Sequence, residues 1–355
     1  MEKMKKETIL SVTDLHVKFT LRGSVLNVLR GISLDIHKGE SIAIVGESGS
    51  GKSVFTKTFL GMLDSNGYID SGSIRFRMDD SGREESIAEL TEFQTEKEWL
   101  SVRGKQIAMV MQDPMTSLNP LKTIGHQLEE TVLLHHDVTK EEAHKRAVEL
   151  LNDVGINEPQ RRCKQYPHEF SGGMRQRVVI AIALACDPRI LICDEPTTAL
   201  DVTIQAQILQ LIRNLQSRLN LTTIYITHDL GVVANVADRI AVMYAGDIVE
   251  IGNVNEIFYD PRHPYTWALL SSLPQLGIKG KDLYSIAGTP PNLQMEIMGD
   301  AFAPRNPYAL NIDFVERPPF FDATPTHKVR TWLMDPRAPK MESPETVRRL
   351  AEGRF

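Results

Sequence analysis

A chain of 355 residues, 42% hydrophobic and 24% charged, has apolar material for a substantial core and length for two or three domains, which excludes a disordered polymer. Its formal net charge of −6 leaves no global basic footprint, so nucleic acid is not an expected partner. The longest apolar runs, such as Val178 to Ala185, fall far short of the roughly 20 residues needed to cross a bilayer. The basic start Met1 to Lys6 runs into Glu7 and Thr8 with no apolar signal core, so a cytoplasmic chain is expected. Cys163, Cys186 and Cys193 lack the spacing and the nearby histidines of a zinc site and read as small thiols in a reducing compartment.

In chain order, Ile9 to Thr20 and Val25 to Ile36 are β-prone runs separated by Leu21-Arg22-Gly23-Ser24, the pattern of antiparallel strands joined by a turn. The apolar run Ser41 to Val45 then enters Gly46-Glu47-Ser48-Gly49-Ser50-Gly51-Lys52-Ser53, after which Val54 to Leu63 can continue as a helix. A strand feeding such a loop suits a triphosphate: glycines let backbone N–H groups converge on the phosphates, Lys52 reaches the outer ones, and the Ser53 hydroxyl binds magnesium. The alternative is a glycine-rich turn without a ligand.

A mixed region follows from about 64 to 106, and its acidic Asp79 to Glu98 portion reads as a solvated surface insertion. From about 118 to 186 the pattern is helical, with Thr139-Lys140-Glu141-Glu142 resembling a capping box before Ala143, Ala147, Leu150 and Leu151 at helical spacing. Between 189 and 252, strand-like and helix-like pieces alternate: Ile190 to Cys193, Val202 to Leu219, Thr223 to Thr227, Leu230 to Ala237 and Ile240 to Tyr244. Alternation of this kind predicts a mainly parallel sheet with helices on its faces. Proline density rises after about 259, through Pro261, Pro264 and Pro274 to Pro319, as in an appended region of short elements and turns.

Two further segments carry chemistry. The apolar strand Ile190 to Cys193 ends in Asp194-Glu195, where Asp194 would hold magnesium and Glu195 could act as general base toward water. By itself a strand ending in two carboxylates is equally well a solvated loop. In Phe170-Ser171-Gly172-Gly173-Met174, Ser171 can cap a helix whose start is a second anion-binding element. One triphosphate does not need two cradles in one chain, so a head-to-tail dimer is expected, each helix start meeting the γ-phosphate on the partner's loop.

The phosphate loop, Ser171-Gly172-Gly173, the Asp194-Glu195 strand and His228 occur in the order typical of ATP-binding cassette ATPases, which nearly the whole chain resembles. The resemblance implies an α/β P-loop NTPase with a RecA-like core, an antiparallel β subdomain, a helical signature subdomain and a small C-terminal extension. It identifies Gln112 in Met109-Val110-Met111-Gln112-Asp113-Pro114 with the family's glutamine loop, touching magnesium and the attacking water. Thr198-Ala199-Leu200-Asp201 resembles the loop that communicates across the dimer, and His228 the switch residue on the γ-phosphate. Phe19 is either an ordinary strand core residue or the family's aromatic stacked on adenine. The signature reads Phe-Ser-Gly-Gly-Met where many members have Leu-Ser-Gly-Gly-Gln, yet the backbone and hydroxyl donors remain.

The tail narrows the resemblance. Asp260-Pro261-Arg262-His263-Pro264-Tyr265, Ala287-Gly288-Thr289-Pro290-Pro291 and Phe302-Ala303-Pro304-Arg305 are similar to segments in ATPases of peptide and nickel importers. The tail resembles that of Gram-positive oligopeptide-permease ATPases, especially the streptococcal and lactococcal type. Many members of that group carry cysteines here that could bind an iron–sulfur cluster; this chain has Asp300, Asn306, Asp313 and Thr331 at those places, so no cluster is expected.

The expectation is thus an ATP-hydrolysing subunit of an oligopeptide importer on the cytoplasmic face of the membrane, with a dipeptide, nickel or other small-solute importer as the near alternative and a non-transport cassette ATPase as the distant one. Residues 1–259 would form the nucleotide domain, with the helical subdomain at about 115–186, and 260–355 the extension. ATP and Mg2+ are the expected ligands: Gly46 to Ser53 with Val54 and Phe19 bind ATP, and Ser53, Gln112 and Asp194 bind the metal. Lys52, Gln112, Glu195 and His228 are catalytic, Ser171 to Met174 act in trans, and Asp201 communicates across the dimer. The expected partners are a homologous second ATPase subunit, two integral-membrane permease subunits and an extracellular peptide-binding protein.

Overall fold

The computed structural model describes residues 7–198, 200–273 and 286–353. Met1 to Lys6, Ala199 and Pro274 therefore lie outside the described residues. Two compact units emerge: one comprises Glu7, His37–Glu40 and Glu92–Ile226, the other Thr8–Ile36, Ser41–Thr91 and the described residues from Thr227 onward.

The second unit opens with the predicted hairpin, β1 (Thr8–Leu21) and β2 (Ser24–His37). Its two-residue loop is Arg22-Gly23, with φ of 49 and 82, the paired positive values that let a tight turn follow the twist of the strands. With β4 (Gly67–Arg77) and β5 (Ile87–Glu89) these form an antiparallel sheet in the order β2-β1-β4-β5. Alternate residues Leu10, Val12, Ile74 and Phe76 are buried, giving this sheet one core face. The acidic segment is more than a solvated insertion, because it supplies β5, and the Glu89 carboxylate accepts the Ile74 amide at 2.7 Å.

In the same unit β3 (Ser41–Val45) runs parallel to β9 (Arg239–Tyr244), pairing Ile42 with Arg239 through Val45 with Val242. Then β10 (Asp247–Asn253) pairs antiparallel with β9 and with β12 (Lys328–Val329), which pairs with β11 (Phe321–Asp322). The helix predicted to reach Leu63 is shorter: α1 spans Lys52–Thr58. Its end tightens into i to i−3 bonds at Phe59, Leu60 and Gly61, and Gly61 turns left-handed at φ 59, a common way to stop a helix. Likewise α9 is only Leu230–Val233, because the Val236 and Ala237 amides both return to the Val233 carbonyl. The unit ends with α10 (Val254–Tyr259), α11 (Pro264–Ser271) and α12 (Glu345–Ala351) among short turns.

Glu250 of β10 fastens this C-terminal region. Fully buried, it accepts the Arg262 and His263 amides at 2.6 and 3.1 Å and pairs with His327 Nε2 at 2.7 Å. Three donors on one buried carboxylate offset much of its desolvation.

The other unit holds a parallel set, β6 (Ile107–Val110), β7 (Ile190–Asp194) and β8 (Thr222–Thr227), in that order. Ile190 to Cys193 and Leu221 to Ile226 are buried throughout, as parallel strands covered on both faces should be. Its helices are α2 (Glu96–Val102), α3 (Pro114–Ser117), α4 (Ile124–His135), α5 (Lys140–Asp153), α6 (Pro159–Arg162), α7 (Gly172–Ala183) and α8 (Val202–Leu219). The capping box at Thr139 and Glu142 starts α5, which buries Ala143, Ala147, Leu150 and Leu151 as its spacing predicts. Among the described residues no helix is long and apolar enough to cross a membrane. All three cysteines are buried, and burial pushes the Cys163 and Cys186 thiols up to about 11.

Candidate nucleotide-binding and hydrolysis site

Where β3 ends and α1 begins, backbone at one glycine and packed side chains at another leave no room for a Cβ. A Cβ on Gly46 would fall 2.0 Å from the Met243 carbonyl oxygen. At Gly51, where φ is 97, it would fall 2.9 Å from Leu29 Cδ2. The loop is closed by Ser50 N donating to Glu47 O at 3.2 Å and Gly246 N donating to Ser50 O at 2.9 Å. Lys52 folds back over it and donates Nζ to the Gly46 and Glu47 carbonyls at 2.8 Å each. Carbonyls are weaker acceptors for an ammonium than a phosphate oxygen, so an arriving phosphate can draw Lys52 away from them. Ser48 and Gly49 are exposed, while Ser53 and Val54 are half-buried at the start of α1.

Two residues of the tail hold this loop. The Glu47 amide donates to the Tyr265 hydroxyl at 2.8 Å, and the Glu47 carboxylate takes a two-pronged bond from Arg305 at 2.7 and 3.1 Å. Both lie in tail segments that the sequence marked without suggesting this contact. Phe19 is half-buried and pairs with Gly67 across β1 and β4, where a Cβ on Gly67 would come 2.7 Å from its ring. His228 is exposed after β8, and its neighbour Asp229 accepts the Gly231 amide at 2.8 Å to begin α9.

In the other unit, the register of β6 against β7 pairs Val110 with Cys193. Two residues further along each strand, Gln112 and Glu195 meet: Gln112 Nε2 donates to Glu195 Oε2 at 2.9 Å. Thr198 Oγ1 donates to the same oxygen at 2.9 Å. Glu195 has φ 45, a left-handed conformation costly for a side chain with a Cβ, and its amide bonds the Ile226 carbonyl at 2.9 Å. Asp194, at the end of β7, is half-buried. The local sequence does not reveal the contact of Thr198 with Glu195, which depends on the backbone turn that the Thr198 amide closes onto the Glu195 carbonyl at 3.2 Å.

Ser171 is the N-cap of α7, accepting the Met174 amide at 3.4 Å. Gly173 packs on the start of α8, where a Cβ would sit 2.7 Å from Ile204 Cγ2, and a Cβ on Gly172 would touch Leu200 at 3.5 Å. Asp201 caps α8 by accepting the Ile204 amide at 3.0 Å. Gly172 and Gly173 thus lie against Leu200 and Ile204, on either side of the Asp201 cap, within this unit.

Asp300, Asn306, Asp313 and Thr331 are buried, and one side-chain oxygen of each caps its own turn. Their acceptor oxygens take the amides of Phe302, Tyr308, Leu310 and Leu333 at 2.9, 2.9, 2.6 and 3.3 Å respectively.

A family profile described as "ABC transporter" matches residues 29–198, and one described as "Oligopeptide/dipeptide transporter, C-terminal region" matches 249–312. Over 98% of this chain and 95% of that protein, the sequence is 55% identical to the oligopeptide transport ATP-binding protein AmiE of Streptococcus pneumoniae. It is 54% identical to the oligopeptide transport ATP-binding protein OppD of Bacillus subtilis, over 96% and 93% of the two chains. Identity is 52% with the dipeptide transport ATP-binding protein DppD of Lactococcus lactis, over 97% and 96%. Among solved structures, the ATP-binding cassette MJ0796 in a dimeric state bound to ADP and Pi is similar with a TM-score of 0.59 and 27% identity, over 69% of this chain and 98% of that one. With cbiO1 of Clostridium perfringens the TM-score is 0.60 and the identity 28%, over 72% and 92%. A loop built around Gly46 and Lys52, a Gln112–Glu195 contact and relatives aligned over nearly their whole length lead to one conclusion: the chain belongs to the ATP-binding proteins of ABC transporters, in the oligopeptide and dipeptide group.

Proposed function

We propose that this chain is the ATP-hydrolysing subunit of an oligopeptide importer, working on the cytoplasmic face of the membrane. The observation that carries the hydrolytic part is the Gln112–Glu195 bond at 2.9 Å, which orients a carboxylate at the end of an apolar strand. In this reading Gly46 to Ser53 and Val54 hold the phosphates, with Lys52 exchanging its carbonyl partners for phosphate oxygens, and Phe19 lies against adenine. Glu195 takes a proton from the attacking water, with Gln112 and His228 positioning it. Ser171 to Met174 face the γ-phosphate held by a partner subunit, and Asp201 reports across that interface. Closure of the two subunits around ATP, and reopening after hydrolysis, is the work step.

The Ser53 hydroxyl, the Gln112 amide oxygen and the Asp194 carboxylate are hard oxygen donors of the kind magnesium takes alongside phosphate and water, and its charge would offset that of the triphosphate. Gln112 spends its amide nitrogen on Glu195, which leaves its oxygen facing elsewhere for such a role.

Residues 1–259 form the nucleotide domain in this reading, with the helical subdomain at about 115–186 and the extension at 260–355. The partners are a homologous second ATPase, two membrane permease subunits and an extracellular peptide-binding protein. Met111, Met115 and Leu121 around the glutamine loop are 40%, 60% and 85% exposed, which suits a surface that a permease covers.

In the assembled transporter, Glu195→Gln should still bind ATP while its turnover falls by at least about 100-fold, the usual scale of a lost general base. Near-normal turnover removes Glu195 from that role. Uptake of a labelled peptide series by the same complex checks the cargo, and nickel uptake without peptide uptake would overturn it. Relatives named for oligopeptides and for dipeptides lie within three points of identity, at 55% and 52%, so peptide length is decided by that uptake series.

A further inference from the structure

Glu47 places a carboxylate inside a loop that is read as holding a polyanion. Its side chain is 25% exposed, so water screens it only in part. Uncompensated, that charge would oppose every phosphate brought to the loop. Arg305 meets it with the planar fork of the guanidinium: Nη1 donates to Oε2 at 2.7 Å and Nη2 to Oε1 at 3.1 Å.

The fork is itself built in. The Arg305 side chain is 6% exposed, its Nε donates to the Ala287 carbonyl at 2.9 Å, and its Nη1 reaches the Tyr244 hydroxyl at 3.1 Å. The guanidinium carbon lies 5.8 Å from the centre of the Tyr244 ring. Burial by itself lowers the Arg305 pKa, but the Glu47 carboxylate and the Tyr244 hydroxyl outweigh it and raise the value. Glu47 is thus gripped by side chain, amide and carbonyl at once, through Arg305, Tyr265 and Lys52.

We propose that Arg305 is a positioning residue for the phosphate loop: it cancels the Glu47 charge and fixes the first turn, so that the C-terminal region sets the loop's affinity for a polyanionic nucleotide. This rests on the reading of Gly46 to Ser53 as the ATP loop. A unit charge bared a few ångströms from a triphosphate weakens binding by about tenfold in a partly solvated site, and by less for fewer phosphates.

The test is titration of the purified full-length chain with fluorescent ATP, ADP and AMP analogues at low and high salt. Arg305→Met should lose about tenfold in ATP affinity, less for ADP and least for AMP, with the loss shrinking at high salt. Adding Glu47→Gln to Arg305→Met should bring ATP affinity back to within about threefold of wild type. A packing role alone would weaken all three nucleotides equally and leave the double variant no better than the single. Either of those results, or an Arg305→Met affinity within about twofold of wild type, overturns the proposal. If circular dichroism shows Arg305→Met unfolded, Glu47→Gln decides alone: it leaves Arg305 uncompensated and should tighten ATP, whereas equal or weaker binding sinks the idea. Lys52→Ala separates the two layers. Wild-type ATP affinity in that variant overturns the nucleotide-loop reading itself; a weak Lys52→Ala beside an unaffected Arg305→Met overturns only the role of Arg305.

Discussion

Burial pushes the Asp300 carboxyl up to about 7 from an ordinary 3.8, with Asp313 and Asp247 adding to the effect and the Phe302 amide opposing it. A carboxyl raised on folding contributes stability that is complete below its ordinary pKa and disappears as pH rises through about 7. Asp300→Asn keeps an acceptor for the Phe302 amide and cannot ionise. Its stability relative to wild type should therefore grow by roughly 2 kcal/mol between pH 5 and pH 8, read from denaturant unfolding at each pH. His263, whose imidazole burial holds down to about 3, acts in the opposite sense as pH falls below 6.5 and is common to both proteins. A variant that tracks wild type at every pH would show that Asp300 is ionised as easily in the folded chain as in the unfolded one. None of this was legible in the tail sequence, since an aspartate reads as a surface residue until its neighbours are known.

Among the elements, those with strong local signals came out as their residues predict. The Thr139–Glu142 capping box opens α5, and Arg22-Gly23 turns β1 into β2. Those that depend on what a helix end meets did not: α1 and α9 stop early at local turns, and β10 escapes a sequence reading because Asp247 and Glu250 interrupt its apolar residues and are buried only by tertiary packing. Contact between α7 and α8 was equally hidden. Gly173 permits it, since a Cβ there would lie 2.7 Å from Ile204 Cγ2. Gly173→Ala is expected to cost roughly 1–3 kcal/mol through that overlap, and Ile204→Ala in the same chain to return part of it. Thermal unfolding of the single and double variants would measure both, and an additive double would mean that the two residues do not press on each other.

At the scale of the whole molecule, residues far apart in the chain are held by a few buried polar nodes. Glu250 gathers the Arg262 and His263 amides and His327 onto one buried carboxylate. Glu250→Leu removes all three partnerships and should lower stability by roughly 3 kcal/mol or more, leaving buried donors unpaired. Guanidinium unfolding is the check; a loss below about 1 kcal/mol would mean that those donors find other partners.

The sequence alone determined the glycine-rich turn at Gly46 to Ser53, the strand ending in Asp194-Glu195 and the Ser171 helix start, because each is written within a few consecutive residues whose chemistry and spacing act locally. Only the tertiary structure decided which distant residues complete them. Strand register brought Gln112 onto Glu195 across 83 positions, and tail packing brought Arg305 onto Glu47 across 258. Such contacts rest on how strands align and cores pack, and no local propensity encodes that alignment.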